Sequence, residues 1–344
     1  MKPVLAIGDV VAKPGEIAKG SLGSVELADG SKSKVPLIVI NGVHEGPVLA
    51  LVAAIHGTEI SGILAIHQVV QSLDPRKLHG SLLAIPGGNP LAIRVGAYTT
   101  PLDGKNLSGP WYLPPVQKEI ATITQRLALY INEALEKANY IIDIHANPLP
   151  SIHFVLTSLE MCKTDEIKQD VKKMAKAFGL TIINWPRKEA TSIRDICCKN
   201  NRPSITVELA GNIYMWDEVA MVGARGIRNV MRVLGMLEGP MEKQEVDIIE
   251  GDFTFFGWLI AQRGGFMLVR KKPGQFIKQG DVVIEIVDVY GDVIEQVRMP
   301  VNGYCWSFTG GVGGTHAVSE GDRLAYVFTH VEELGKPSFV EKPV

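Results

Sequence analysis

The chain has 344 residues, 46% hydrophobic and 21% charged, with 35 basic against 37 acidic side chains and a formal net charge of −2. At roughly 150 residues per domain this length suggests about two domains, and the composition excludes global disorder. No Lys/Arg block stands out and the apolar run Val48–Ile55 is too short to cross a bilayer, so neither a nucleic-acid nor a membrane partner is expected.

Residues 1–34 read as a β-rich segment. From residue 35 apolar runs alternate with amphipathic stretches. Leu37–Asn41, Val48–His56, Ser81–Pro86, Tyr140–His145, Thr181–Trp185 and Ser204–Ala210 are predicted strands, apolar on both faces as strands covered by helices should be. Glu59–Leu73, Val116–Ala138, Asp165–Phe178 and Trp216–Leu237 are predicted helices, the second with a stripe of Ile120, Ile123, Leu127, Ile131 and Leu135. The alternation predicts an α/β fold over 35–240, a mostly parallel sheet flanked by helices.

After Gly239-Pro240 the texture changes. Residues 245–330 are rich in Gly, Val and Ile, with frequent turn signals and no helical period, and predict an all-β domain ahead of a tail at 331–344. A weak repeat, Ile277-Lys-Gln-Gly280-Asp281 and Val318-Ser-Glu-Gly321-Asp322, suggests a small barrel or flattened sandwich of related halves. The half-motifs resemble biotinyl/lipoyl-like hammerhead folds, but Met299-Pro300-Val301-Asn302 offers no lysine for a carrier role. Shielding of the cleft, a limit on substrate size, or oligomerisation is the expected task.

The N-terminus lacks a signal-peptide pattern, and Cys162, Cys197, Cys198 and Cys305 form no disulfide or zinc spacing. A reduced, cytoplasmic protein is the expectation. Glycine-rich Gly310–Gly314 has no strand-to-helix turn behind it, and neither a phosphate-binding loop nor a serine-hydrolase elbow is present.

His56-Gly-Thr-Glu59 carries the spacing that presents an imidazole and a carboxylate to one ion; His330-Val-Glu-Glu333 matches it but lies by the charged tail. Three features set the first apart. His56 ends an apolar strand and Glu59 opens a helix. His145 ends another strand, with Asp143 on the same strand face and able to orient the imidazole. Glu208 lies near the carboxyl end of a third, where ligands of open α/β sheets bind and where an unpaired glutamate is costly. Two histidines and a carboxylate, with a second carboxylate nearby, match a His₂Glu zinc arrangement that leaves a position for water. His44, His67, His79, His153 and His316 lack a comparable partner, His153 standing close enough to edge the pocket.

His56-Gly-Thr-Glu59-Ile-Ser-Gly62, Pro86-Gly-Gly-Asn89-Pro90, Asp103-Gly-Lys-Asn106-Leu107, Ile142-Asp-Ile-His145 and Thr206-Val-Glu208-Leu occur in an order that resembles the succinylglutamate desuccinylase/aspartoacylase family, within the zinc carboxypeptidase superfamily. The likeness covers about residues 30–330. It implies one Zn²⁺ per chain on His56, Glu59 and His145, Glu208 as general base and acid, and hydrolysis of the amide of a small N-acylated compound. It also points to Asn89 and Asn106 as substrate-binding; Lys105 is the candidate single-point anion contact, and family habit together with the extra β domain suggests a homodimer.

The chain departs from the family at Ser108-Gly109, where many members carry an Asn-Arg pair that clamps a substrate carboxylate. The arginine often found just before this segment is displaced too. Tyr98 stands near its place, and Arg94, four residues earlier, is the candidate oxyanion group. A less anionic or larger pocket, lined in part by Trp111 and Tyr112, is the resulting expectation. A non-catalytic metal or small-molecule binding protein, an esterase and a small-peptide hydrolase stay open as alternatives.

Overall fold

The computed structural model of the chain describes residues 2–109, 120–211, 213, 216–310 and 315–333. Strands β1 (Leu5–Ile7), β2 (Val10–Ala12), β3 (Glu16–Glu26), β4 (Lys32–Asn41) and β5 (His44–Ala53) lead into α1 (Ser61–Ser72), β6 (His79–Ile85), α2 (Pro90–Val95) and α3 (Ile123–Lys137). Then come β7 (Tyr140–Asn147), β8 (Phe154–Thr157), α4 (Asp165–Phe178), β9 (Thr181–Asn184), α5 (Ile193–Lys199), β10 (Ser204–Ala210) and α6 (Asp217–Val233). The rest is β: β11 (Phe253–Ile260), β12 (Gly265–Val269), β13 (Phe276–Ile277), β14 (Val282–Val287), β15 (Val293–Arg298), β16 (Gly303–Phe308), β17 (Ala317–Val318) and β18 (Arg323–His330).

Among the described residues a 12-stranded sheet runs in the order β13-β16-β18-β11-β9-β8-β10-β7-β5-β6-β4-β3. Its centre is parallel: β6, β5, β7 and β10 share one direction. Leu49 to Ala53 of β5 and Ile141 and Ile142 of β7 are fully buried, because helices cover strands whose side chains are apolar on both faces. Helix α6 packs on both α1 and α4, while α5 lies along β7 and β10 and α3 along β3 to β5. The mostly parallel α/β core expected from the alternation is present.

Three elements escaped the sequence reading: β8, α2 and α5. β8 is only four residues long and runs antiparallel to β10, which breaks the parallel run. In α3 the buried stripe holds for Leu127, Ile131 and Leu135, but Ile120 is 77% exposed, since the helix begins only at Ile123.

The C-terminal strands form a second, 4-stranded sheet, β15-β14-β12-β17, facing β11, β13, β16 and β18 across a shared apolar core that includes Met267, Ile286, Phe308 and Val327. The two halves of the weak repeat become equivalent turns. Each strand, β13 and β17, ends in a turn with a left-handed glycine, Gly280 at φ 87° and Gly321 at φ 88°. The large sheet continues from one region into the other, because β11 pairs in parallel with β9. That pairing brings C-terminal side chains to the carboxyl ends of the central strands. No helix among the described residues is long and apolar enough to cross a membrane.

Candidate active site

The site is built at the carboxyl ends of β5, β7 and β10. Strand β5 stops at Ala53, and Ala54, at φ 51°, turns the chain sharply before His56. Gly57 then lies so close to α2 that a Cβ there would sit 2.0 Å from the carbonyl carbon of Ala92. Only glycine fits, and this close approach holds the His56–Glu59 turn in place. In β7 the pleat alternates: Ile144 faces α1 beside Gly62, so Asp143 and His145 share the opposite face, with His145 lining the cleft and Asp143 buried behind it. Glu208 of β10 is the register partner of His145, which sets the two side by side on neighbouring strands.

His56, Glu59 and His145 are 3%, 7% and 7% exposed. Glu59 bridges the pair, with Oε1 2.8 Å from Nδ1 of His56 and Oε2 2.8 Å from Nδ1 of His145. Each Nε2 is engaged on the far side. That of His56 lies 2.8 Å from Oδ1 of Asn106, which also accepts the Ser108 backbone N–H; that of His145 lies 3.1 Å from Oδ2 of Asp143. Donation outward from each Nε2–H leaves both Nδ1 lone pairs aimed at the carboxylate.

Burial alone would push Glu59 up, but His56 and His145 overcome it and hold its carboxyl down at about 2. Burial likewise disfavours a charged His145, yet Asp143 and Glu59 raise its pKa well above the usual histidine value. Acceptors thus converge on acceptors, and only protons on nitrogen or a cation reconcile them. The three ligand atoms lie within 4.8 Å of one another, and two imidazole nitrogens with one carboxylate oxygen fit a divalent ion of borderline softness.

Glu208 stands beside this cluster and accepts a hydrogen bond of 2.8 Å from Nδ2 of Asn147. Burial pushes its carboxyl up to about 8, against the pull of His145 and aided by Glu59 and Asp143. The cleft in front has a volume of about 670 Å³. Trp185, Trp258 and Tyr326 line its far side, and three guanidiniums enter it: Arg187, Arg194 and Arg323. Burial, with Arg194 beside it, brings Arg187 down to about 10.

Of the other residues singled out from the sequence, Tyr98 and Asn106 line this cleft. The Tyr98 ring, although the residue is 44% exposed, stacks on His56 at 3.8 Å between centroids. Asn106 reaches His56 because Asp103 ties its loop to the start of α3, accepting from the N–H and hydroxyl of Thr124. Asn89 does not reach the cleft. It is fully buried and caps α2, accepting from the Ala92 N–H while its amide donates to Ile55 O and Thr100 Oγ1. Followed by Pro90, it is a helix-start signal that the sequence reading took for a ligand group.

Arg94 also lies outside the cleft, exposed on the last turn of α2 with Asp29 as its electrostatic neighbour, because the α2 register aims it away from the site. Lys105 does not line the cleft either; its loop points Asn106 inward instead. Trp111 and Tyr112 fall outside the described residues. The motif search passed over the three arginines that line the cleft, Arg187, Arg194 and Arg323, because they come from unrelated segments. His330, in the second HxxE match, ends β18 with its ring packed 4.5 Å from Phe253.

Residues 45–234 match the family model of the succinylglutamate desuccinylase/aspartoacylase catalytic domain. The chain is similar to N-alpha-acetyl-L-2,4-diaminobutyric acid deacetylase of Halomonas elongata, 24% identical over 312 residues, 88% of this chain and 87% of the relative. Among solved structures, the product-bound ectoine utilization protein EutE of Ruegeria pomeroyi superposes with a TM-score of 0.81 at 21% identity, covering 92% of this chain and 96% of that one. A succinylglutamate desuccinylase of Silicibacter sp. TM1040 does so at 0.79 and 20% identity, covering 95% and 97%. With a family model spanning more than half of its length, the chain belongs to the succinylglutamate desuccinylase/aspartoacylase family.

Proposed function

We propose that the protein is a zinc-dependent deacylase that hydrolyses the amide bond of a small N-acylated compound. One observation carries this reading. His56, Glu59 and His145 converge with both Nδ1 atoms turned inward on one carboxylate, and Glu208, anchored by Asn147, stands next to His145 on the neighbouring strand. A binding module has no use for a second carboxylate held beside such a cluster. The deacetylase relative and the family support the same reaction class.

Zinc on the two histidines and Glu59 would supply Lewis acidity, lowering the pKa of water and polarising the acyl carbonyl. The chain's own residues do the rest. Asp143 and Asn106 fix the imidazole tautomers, so that neither ring has to reorient. Glu208, anchored by Asn147, accepts a proton from the attacking water and returns it to the departing amine. Trp258 and Tyr326 wall the cleft from the C-terminal strands and limit the size of the compound admitted. Four buried free cysteines suit a reducing compartment, and on that ground the reading places the enzyme in the cytoplasm.

The test is Glu208→Gln, with zinc content and turnover of N-acetyl amino acids measured together. Retained zinc with turnover reduced by at least ~100-fold is the expected result. Near-wild-type turnover would remove Glu208 from the reaction. Loss of zinc in His145→Ala is the companion measurement for the ligand set.

A further inference from the structure

All four cysteines are free thiols, and three of them meet in the core of the catalytic region from segments remote in sequence. Cys162 closes the short turn Leu159–Met161 that follows β8, and this turn packs against α5. Cys197 and Cys198 lie near the end of α5. Successive helical positions point about 100° apart, so the two face different neighbours. Cys197 faces Arg202 and Asp143, whereas Cys198 meets Cys162 closely enough for the two thiols to hydrogen-bond.

The pair joins two elements that already hold the cleft wall. Arg194, on the same helix as Cys198, lines the cleft; its Nε donates to Ser158 Oγ at 2.9 Å and it pairs with Asp195 at 3.4 Å. Cys162 Sγ donates to the Ser158 carbonyl at 3.8 Å, and Cys198 Sγ to that of Ser204 at 3.5 Å. Once Cys162 loses its proton, the Cys198 S–H can turn from Ser204 to the thiolate.

The four thiols are unequal. Cys162 is 6% exposed, against 1% or less for the other three. The Cys198 thiol, with Lys168 beside it, holds Cys162 below the ordinary thiol value despite its burial. Burial pushes Cys197 and Cys305 up to about 12, and Cys162 together with burial drives Cys198 well up. The thiolate is the form that reacts, so one thiol of the four is activated and the neighbour that can trap its product touches it.

We infer that Cys162 and Cys198 form a hydroperoxide-reactive thiol pair, in which Cys162 attacks the oxidant and Cys198 resolves it into a reversible disulfide between the turn after β8 and α5. The Cys162 thiolate attacks one peroxide oxygen, the O–O bond breaks, hydroxide leaves, and a sulfenic acid remains. The Cys198 sulfur then attacks that sulfur and gives up its proton, and water leaves. Two thiols are oxidised and one hydroperoxide is reduced, to two waters when it is hydrogen peroxide. Thiol–disulfide exchange with a dithiol restores the pair. Without a resolving neighbour the sulfenic acid proceeds to irreversible products. The pair uses neither the metal site nor Glu208, so it stands apart from the deacylase reading.

Full-length, zinc-loaded protein is reduced, freed of reductant, treated with a few equivalents of hydrogen peroxide, alkylated and digested, and the peptides are read by mass spectrometry. Wild type should give a Cys162–Cys198 link that dithiothreitol removes. Cys197→Ser should keep this link and so separates it from one through Cys197. In Cys198→Ser, dimedone should trap sulfenic acid on Cys162 ~tenfold more than on any other cysteine. Iodoacetamide on untreated wild type, which needs no variant, should label Cys162 first. No link in folded wild type overturns the pair, as does a link through Cys197 or Cys305. Even labelling of all four cysteines, or first labelling of another one, removes the role given to Cys162.

Discussion

Asp143→Asn removes one charge from the site and preserves the side-chain shape. Asp143 is 0% exposed, and its Oδ2 lies 3.1 Å from Nε2 of His145. When His145 presents its Nδ1 lone pair to a metal, Nε2–H donates to this carboxylate. A hydrogen bond to a charged partner contributes about 1.5–3 kcal/mol, which converts to roughly a ten- to hundredfold change in affinity. Loss of an outer partner of a metal-binding histidine costs the same range, about 10–100-fold. The second carboxylate oxygen, Oδ1, is buried with no hydrogen-bond partner among the described residues. Asparagine would place its NH₂ there if its carbonyl kept the His145 contact, at a cost of about 1–3 kcal/mol in stability. Zinc affinity is measured by competition with a chromophoric chelator, and stability by denaturant unfolding of the chelator-treated protein, so the two effects separate. Zinc bound within about twofold of wild type would refute the role given to Asp143.

Gly57→Ala should abolish stoichiometric zinc binding while the helical circular dichroism persists, because its Cβ would meet the Ala92 carbonyl and move the His56 turn; wild-type zinc content would refute this. Arg194→Met should destabilise the fold by about 3–5 kcal/mol in urea unfolding, since Asp195, 0% exposed, loses its counter-charge. A loss below about 1 kcal/mol would mean that the pair is not the anchor described. Burial brings His153 down to about 4, and its Nδ1 accepts the Ala210 N–H. The unfolded histidine, near 6.5, therefore binds a proton before the folded one does. Its contribution to stability is complete above about pH 6.5 and is lost as the pH falls toward 4. His153→Gln should flatten that part of the stability–pH curve; an unchanged slope would exclude it.

Much of the fold was readable because its signals are local. Helix α4 was read as Asp165–Phe178 and has those bounds, with Thr164 capping its start and Gly179 at φ 80° closing it. The strand-end histidines were readable because an apolar run ending in His or containing Glu has few structural excuses. Spacing alone was weaker: His56–Glu59 and His330–Glu333 share it, and only position distinguished them. Asn89 shows the limit. An asparagine before proline reads equally as a helix cap or as a ligand group, and its complete burial settled the matter.

What the sequence determined by itself is the alternation of strands and helices, the all-β texture after residue 240, and the grouping of His56, Glu59, His145 and Glu208 at strand ends. These follow from side-chain periodicity and from the cost of polar groups in apolar runs, which act within a few residues. The tertiary structure decided which distant groups meet: Asn106 behind His56, Asn147 on Glu208, and Arg187 beside Arg323 on neighbouring tryptophans. It also turned Arg94 away from the cleft. Those outcomes depend on the β9–β11 pairing and on the α2 register, where packing between remote segments, and no local preference, sets the direction in which each side chain points.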